Sequence, residues 1–472
     1  MTPDEVRAAA SHLCELHQRF APLFGYQPAQ DHALIYLRGL LLQEGHKNTE
    51  AIALTFAEGK VRPLQQFIAC SPWDYRLVQQ EIQTVFAQTL VPSTKEWNIG
   101  TVGVIDESGF PKKGKHSVGV ARQWCGRLGK KDNCQVGVYL VGVTPAGSAL
   151  LEHQIYLPEE WILDKERRRE VGIPHSITFR TKPEIALDLH QRVRVGAKVS
   201  FDWLVFDELY GRNEEFLAQL ERRRQLYVGE VPVSTTVWTL DPATQIPEYS
   251  GRGPRPKLPV RDSVRSVQEV AESLPAESWR VLCLREGSGE PVAFEFAAVR
   301  VWAMRDQKAG PPIWLLIRRP VGGEGEVKYY VSNAPEQTPL EKLALVSGCR
   351  MRVEEYFEDG KSYLGMGHYE GRSWAGWHHH MSLVALAHLL VTGVRQRLKK
   401  KAVGLTLDMA VRLLKAALPR PALSLEAALT IVEYHLRRNE IARRSHAKRW
   451  KKRNKGVEVT PLFQTTSTHH LC

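Results

Sequence analysis

Two aspartates directly follow short apolar segments of the chain: Val102–Ile105 precedes Asp106, and Trp203–Phe206 precedes Asp207. Ligands of α/β sheets gather at the carboxyl ends of the strands, so the two carboxylates are expected to share one site if the strands are neighbours. Carboxylates held together repel each other unless a cation lies between them. The pair therefore predicts a divalent-cation site. Mg²⁺ is the expected ion, with Mn²⁺ as a substitute, because it prefers hard oxygen ligands.

Either aspartate alone is also typical of a turn or of a helix N-cap. The matching contexts of the two favour the metal site. A third carboxylate from a helix would complete a site for two ions, about 3.5–4 Å apart, that clamp the attacking and leaving oxygens of a phosphodiester.

The segment "CRMRVEEYFEDGK" offers that third carboxylate. On a helix, Arg350 and Glu354 are one turn apart and can pair, and Lys361 continues the same face. A solvated stripe of salt bridges is the alternative reading of this spacing. Glu354 is the first choice of ligand and Glu370 the second, whereas Glu355 lies about 100° around the helix from Glu354 and should face elsewhere.

Basic residues are concentrated in two places. The loop after the first acidic segment contains Lys112, Lys113 and Lys115, which are expected to neutralise phosphates of a polyanionic partner such as nucleic acid; a solvated loop is the alternative. Residues 437–455 contain ten Lys or Arg and one acid. They predict a nucleic-acid-binding helix, with a disordered solubilising tail as the alternative. The residues assigned to DNA binding besides the three loop lysines are Arg352, Arg443, Arg444, Lys448, Arg449, Lys451 and Lys452.

The overall composition agrees with a polyanionic partner and gives no sign of other site types. The 472 residues carry a net charge of +12, a balance that favours nucleic acid. Seven scattered cysteines without a C-x-x-C pair indicate neither a disulfide framework nor a zinc site, so a reducing cytosol is expected. The run His378–His380 is expected to pack or cap rather than to bind metal. The most apolar run, residues 383–394, is too short to span a bilayer.

The elements that must position these residues follow from periodicity and turn signals. Helices are predicted up to residue 95, β-strands from 100 with the first ending at Asp106, and then alternating helices and strands. A β-rich stretch follows, and then long helices, the first running unbroken through "PLEKLALVSGCRMRVEEYFEDGKSYLG". Residues 1–95 are predicted to form an N-terminal helical DNA-binding domain. An α/β core is predicted in two parts, 96–238 and 341–400, on either side of a β-rich insertion at 239–340. Residues 401–472 are predicted to form a basic helical C-terminus with a polar tail.

With these motifs, residues 100–395 resemble the DDE-type transposases of bacterial insertion sequences, which share a ribonuclease H-like fold. The resemblance is sharpest in "IDESGFPKKGKHSVGVARQWCG", "FDELYGRN" and "VEEYFEDGKSYLG". Asp106 and Asp207 match the aspartates that end the family's first and fourth strands, and Glu354 matches its helical glutamate. Arg350 and Lys361 match the basic residues of its Tyr-Arg-Glu-Lys signature. Ser347 stands where that signature has tyrosine. Relatives with this signature also carry a β insertion before the glutamate helix.

The resemblance implies a mixed sheet flanked by helices and a Mg²⁺-dependent enzyme using two ions. Such an enzyme cleaves the terminal inverted repeats of its element and joins the freed 3′ ends to target DNA. The expected partner is double-stranded DNA, which a homodimer would hold in the complex. The expected location is the bacterial cytoplasm, in association with the nucleoid. Two alternatives stay open: a metal-dependent nuclease or resolvase of the same fold without strand transfer, and an inactive DNA-binding repressor of transposition.

Overall fold

A computed structural model of the chain describes residues 1–455 apart from 197–198, 248–258, 286–291, 307, 323, 400–401 and 403. The predicted polar tail, from residue 456, lies outside the described residues. The fold is mixed α/β: a helical N-terminal part, one large mixed sheet, and helices that flank it.

The N-terminal part is helical, as predicted. Thr2 and Glu5 form a capping box at the start of the first helix, and the Asp74 side chain accepts a hydrogen bond from Arg76 at the start of the fifth. The fifth helix lies on the sheet, where Gln79 and Gln83 donate to backbone carbonyls of a strand. The helices are α1 (Pro3–Phe20), α2 (Gln27–Leu42), α3 (Thr49–Phe56), α4 (Val61–Ala69) and α5 (Tyr75–Thr89).

The first half of the sheet contains a meander and two parallel strands joined through helices. Its strands are β1 (Val102–Pro111), β2 (Ala121–Cys125), β3 (Lys130–Thr144), β4 (Gly147–Ile155), β5 (Trp203–Phe206) and β6 (Tyr227–Val231). The intervening helices are α6 (Glu159–Leu163), α7 (Lys165–Val171), α8 (Lys182–Gly196), α9 (Glu208–Gly211) and α10 (Glu214–Arg222). β1 pairs antiparallel with β3 and parallel with β5, and β6 pairs parallel with β5.

The predicted β-rich insertion continues the central sheet. Its last strand pairs antiparallel with β6, so the described residues form one sheet of twelve strands. Their order is β2-β3-β1-β5-β6-β12-β11-β10-β7-β8, with β4 on β3 and β9 on β10. The elements of this half are β7 (Thr236–Trp238), β8 (Val264–Ser266), α11 (Val267–Glu272), β9 (Arg280–Arg285), β10 (Val292–Arg305), β11 (Lys308–Pro320) and β12 (Lys328–Ser332).

Five helices complete the described chain: α12 (Leu340–Gly348), α13 (Met351–Tyr363), α14 (Trp374–Lys399), α15 (Leu407–Ala417) and α16 (Leu425–Arg453). The prediction of one helix through residues 339–365 was wrong, because α12 ends at Gly348 and α13 starts at Met351. A Cβ at Gly348 would lie 3.0 Å from the Leu284 side chain, so the glycine lets the end of α12 approach β9 closely.

The first strand also differs from its prediction. β1 does not end at Asp106 but runs on to Pro111. Its parallel ladder with β5 stops at Ile105, whereas its antiparallel ladder with β3 continues to the pair Pro111↔Cys134. Asp207 follows the fifth strand in chain order, whereas the family's second aspartate ends the fourth. The short strand β2, which lies between β1 and β3 in the chain, accounts for the extra strand. Asp106 therefore lies within a strand, at the point where one of its two neighbours ends.

The core joins the helices and the sheet. Buried residues of α1–α5, of the central strands and of α14 belong to one continuous cluster. The histidine run of α14 is buried in it: both His379 ring nitrogens face carbonyl oxygens, those of Ile68 and Trp73, and the His380 ring contacts Tyr36. Among the described residues, none of the helices combines the length and the apolar character that a membrane span requires.

Candidate active site

Three acidic residues stand in one row across neighbouring strands. Ile105 is aligned with Phe206 on β5, and Phe206 is aligned with Gly229 on β6. Asp106, Asp207 and Glu230 are each the next residue along the chain. Because aligned residues of parallel strands point to the same face, the three side chains share one face of the sheet.

Helix α13 covers that face near β1. Asp106 is paired with Tyr139 on β3, and paired residues of an antiparallel ladder share a face. The Tyr139 ring centre lies 5.2 Å from that of Phe357 on α13. Asp106 thus lies on the face of the sheet that is covered by the helix containing Glu354.

The carboxylates of Asp106, Glu107 and Asp207 lie close together. Each offers an oxygen, and these oxygens all lie within 4.8 Å of one another. Asp106 accepts a hydrogen bond of 2.7 Å from the Glu107 backbone N–H. Asp207 accepts one of 3.0 Å from the Leu209 N–H and is the N-cap of α9, so it does act as a helix cap. The predicted juxtaposition of Asp106 with Asp207 is confirmed.

Asp106 is buried and Asp207 is half-buried, at a cost to the charged forms of both carboxyl groups. Burial raises the pKa of Asp106 to about 7; the Arg350 charge opposes the shift, and the Asp207 and Glu107 carboxylates add to it. Burial and the Glu107 carboxylate raise the pKa of Asp207 to about 6, again against Arg350. The site consequently favours either protons or an additional cation near neutral pH.

Glu107 was not among the predicted site residues. It follows Asp106 in an extended strand, so its side chain leaves the strand on the opposite side, but its carboxylate still reaches within 4.8 Å of those of Asp106 and Asp207. There the Lys182 ammonium lies 2.6 Å from one carboxylate oxygen, and the Tyr210 hydroxyl donates to the other at 3.1 Å. The only sequence signal for Glu107 is its position beside Asp106, because its two partners are far away along the chain.

Arg350 links the acids of the other face. Its guanidinium lies 2.7 Å from the Glu354 carboxylate and 3.8 Å from that of Glu230. Burial alone would lower the pKa of Arg350, but Asp106, Asp207 and the two glutamates outweigh burial and raise it. The predicted pair Arg350–Glu354 is therefore present, and Arg350 stands as the positive charge among four carboxylates.

The structure does not bring Glu354 into the close group of three carboxylates. Its side chain is 61% exposed and reaches that group only through Arg350. The rival Glu355 pairs with Arg352 at 3.0 Å, and the rival Glu370 is exposed and lies near Lys112. Ser347, at the position of the signature tyrosine, is buried and donates to the Ala344 carbonyl.

The predicted basic residues differ in their surroundings. Lys361 lies under 6 Å from the ring centres of Phe110 and Phe357; burial and the Arg127 charge lower its pKa, while Asp106 opposes them. Lys112 donates to the Tyr369 carbonyl, and burial lowers its pKa to about 8. Lys113 and Lys115 are exposed.

The predicted basic helix forms as α16, and its six assigned residues are exposed. Arg443 and Arg444 pair with Glu440 at 2.9 Å and 2.8 Å, and Arg449 donates to the Ser445 hydroxyl. Arg438 contacts Glu50, which ties the helix to the N-terminal part.

Arg350→Ala is expected to destabilise the fold in a pH-dependent way. The change removes the positive charge from the buried carboxylates and should lower the free energy of unfolding by about 3 kcal/mol at pH 8. The loss should be smaller at pH 5, where both aspartates are largely protonated and need no compensation. Urea unfolding at the two pH values measures this difference.

Arg352→Ala is the matched control, because Arg352 lies on the same helix in a more exposed pair with Glu355. Its effect should stay within about 1 kcal/mol at both pH values. Equal losses in the two variants would contradict the assigned role of Arg350.

Comparison with known proteins agrees with this geometry. Residues 19–291 match the family described as DDE superfamily endonuclease, which is more than half of the chain. A probable transposase for insertion sequence element IS701 from Microchaete diplosiphon is 32% identical over 167 residues. That match covers 35% of this chain and 39% of the relative's length. The chain belongs to the DDE superfamily of endonucleases.

Proposed function

We propose that the chain is a DNA transposase that cleaves the ends of an insertion sequence and joins them to target DNA. The observation that supports this most directly is the placement of Asp106 and Asp207, which lie together with raised pKa values where the parallel pairing of β1 with β5 stops. A site of this kind suits divalent cations and phosphodiester chemistry. The transposase similarity of the relative supports the choice among endonuclease activities.

The donor set fits divalent cations. The closest acidic oxygens are hard ligands, and the burial that raises the pKa values of the two aspartates is a cost to their charged forms that an added cation would offset. We propose two Mg²⁺ ions, replaceable by Mn²⁺, held by Asp106, Asp207 and Glu354. When bound, such ions supply Lewis-acid stabilisation of charge on the attacking and leaving oxygens.

Glu354 is proposed over Glu107 because Glu107, although closer to the two aspartates, already has partners. The Glu107 carboxylate is engaged by Lys182 and Tyr210. Glu354 is on α13, which covers the face of Asp106, and Arg350 connects it to the aspartates. In this proposal the Arg350 guanidinium leaves its ion pair with Glu354 and pairs with a DNA phosphate instead. Lys361, which lies next to Phe110, neutralises phosphate charge.

DNA contacts are proposed for the predicted basic residues. Lys112, Lys113, Lys115 and Arg352 would contact phosphates near the site. The exposed cations of α16 would contact DNA phosphates further from the site, independently of the DNA sequence. The whole arrangement is proposed to be a ribonuclease H-like core of residues 96–238 and 341–400. Residues 1–95 would form a DNA-binding domain, and a homodimer would hold the two element ends.

The function is tested by joining. The full chain is incubated with Mg²⁺, a plasmid and labelled duplexes carrying the two ends of its element. A covalent product of end and plasmid supports the transposase. Cleaved ends without that product support the nuclease alternative, and bound but uncut ends from a folded chain support the repressor.

Glu354→Gln is expected to reduce end cleavage by about 10²-fold or more, because it removes one negative ligand from the site. Glu370→Gln is the matched control and should cleave like the unchanged chain, since Glu370 is exposed and lies near Lys112. Gel analysis of labelled ends measures both. Loss of cleavage in Glu370→Gln alone, or in Glu107→Gln but not Glu354→Gln, would overturn the assignment of the third ligand.

A further inference from the structure

We call Asp106, Asp207 and Glu230 the acid row. A β-hairpin next to it presents an exposed basic surface. We call residues 121–132, which comprise β2, the turn after it and the start of β3, the β2–β3 hairpin. Trp124 is paired across it with Lys131, so these side chains share a face, and Arg122 joins them two residues along β2. Trp124 is 56% exposed. The hairpin thus presents an aromatic side chain between basic residues, a combination that suits contact with nucleic acid.

The charges of the β2–β3 hairpin are almost all positive. It contains four basic residues and one acid: Arg122, Arg127, Lys130, Lys131 and Asp132. The acid pairs with Lys130 at 3.4 Å. The hairpin therefore carries a net positive charge on exposed side chains, which is complementary to a polyanion.

The turn of the β2–β3 hairpin folds back against the end of β1. A Cβ at Gly109 would lie 3.1 Å from the Cys125 Sγ. A Cβ at Gly367 would lie 3.9 Å from the Arg127 guanidinium and 3.8 Å from the Phe110 ring. Because Lys361 lies 5.7 Å from the centre of that ring, Arg127 and Lys361 border the same small region.

These two cations lie near each other, with Asp106 as the carboxylate whose charge acts on Lys361. Within the described part of the chain, neither Arg127 nor Lys361 takes part in an ion pair. The Arg127 charge instead contributes to the lowered pKa of Lys361. Like charges placed together are unfavourable unless an anionic ligand compensates them. A phosphate group would supply that anion.

We propose that the β2–β3 hairpin binds duplex DNA beside the acid row, with Arg127 and Lys361 contacting a backbone phosphate and Trp124 contacting base edges in the groove. A two-stranded ribbon has the width of the major groove. The proposal rests on the proposed function in taking DNA as the substrate. It adds an element that was absent from the sequence-based assignment of DNA-binding residues.

The test measures binding of the full chain to a fluorescently labelled random-sequence duplex by anisotropy, in EDTA, over a range of KCl concentrations. Arg127→Ala is expected to bind more weakly and to lower the slope of log K against log salt concentration by about 0.9, as for one lost phosphate contact. Trp124→Ala is expected to weaken binding about 5-fold or more, with an unchanged slope, because its contact is uncharged.

Arg222→Ala is the matched control. Arg222 is an exposed arginine of α10 that pairs with Glu215. Through Phe216, α10 packs on Phe206, on the face of the sheet opposite to the acid row. It should bind like the unchanged chain, and Arg127→Lys should restore most of the slope. The proposal is wrong if Arg127→Ala and Trp124→Ala both bind DNA like Arg222→Ala while their thermal unfolding is unchanged.

The two proposals can fail separately. If the unchanged chain joins ends to a plasmid while the hairpin variants bind DNA normally, the hairpin proposal alone is wrong. If the unchanged chain neither cleaves nor joins ends, yet Arg127→Ala lowers the salt slope, the hairpin proposal holds and the transposase proposal fails.

Discussion

Asp106→Asn is expected to reduce cleavage of labelled element ends by at least ~10²–10³-fold, the scale of losing one preorganised electrostatic contact at a reaction centre. Asparagine has the shape of aspartate but brings no negative charge to the ions that we propose. The fold should be retained, because the change also removes one of several mutually repelling buried carboxylates. Cleavage is measured with Mg²⁺, and thermal unfolding is measured on the same samples.

Asp207→Asn should give the same loss and separates chemistry from helix capping. Asp207 caps α9 through the hydrogen bond from the Leu209 N–H, and asparagine caps helices about as well as aspartate. Loss of activity in this variant therefore cannot be attributed to a disrupted helix start.

Asp202→Asn is the matched control for both changes. Asp202 precedes β5, at the opposite end of the strand from Asp207, and accepts a hydrogen bond from the Thr101 N–H that asparagine can also accept. It should cleave like the unchanged chain. Retention of a tenth or more of the cleavage rate in Asp106→Asn would exclude Asp106 as a ligand of the reacting site.

Asp106 and Asp207 could be predicted from the sequence because each comes directly after an apolar segment at the end of a parallel pairing. Glu230 could not, although it stands in the same row. It lies inside the short segment "YVGEV", and its alignment depends on the register of β6 against β5. Register is set by tertiary packing, which single-chain periodicity does not report.

Side-chain partners at long range were also beyond prediction. The spacing of Arg350 and Glu354 indicated their pairing, since one helical turn separates them. That Arg350 also compensates Asp106, Asp207 and Glu230 depends on the tertiary packing that brings the start of α13 to these three acids. The joining of β12 to β6, which makes the predicted insertion continuous with the sheet, depends on a similar long-range contact.

The raised pKa values of the aspartates predict how stability changes with pH. A carboxyl group whose pKa is higher in the folded than in the unfolded state binds protons more strongly when folded. Its burial costs nothing below the unfolded pKa, and the cost grows as pH rises toward the folded pKa. For Asp106 and Asp207 this window runs from the ordinary value of 3.8 to about 7 and about 6.

Without divalent ions, the chain should therefore lose stability between pH 5 and pH 8, and Asp106→Asn should lose about 3 kcal/mol less over this interval. Mg²⁺ should raise the unfolding temperature at pH 8 and have little effect at pH 5, because protonated carboxyls do not bind it. Thermal unfolding at both pH values, with Mg²⁺ and with EDTA, measures all four conditions.

Glu152 supplies the internal control for this experiment. Burial raises its pKa to about 7 as well, with Arg192 opposing the shift, so it contributes to the same pH dependence. It lies apart from the acid row, so its contribution should persist in Asp106→Asn and should not respond to Mg²⁺. If Mg²⁺ stabilised Asp106→Asn as much as the unchanged chain at pH 8, the ion would bind elsewhere and the proposed site would be wrong.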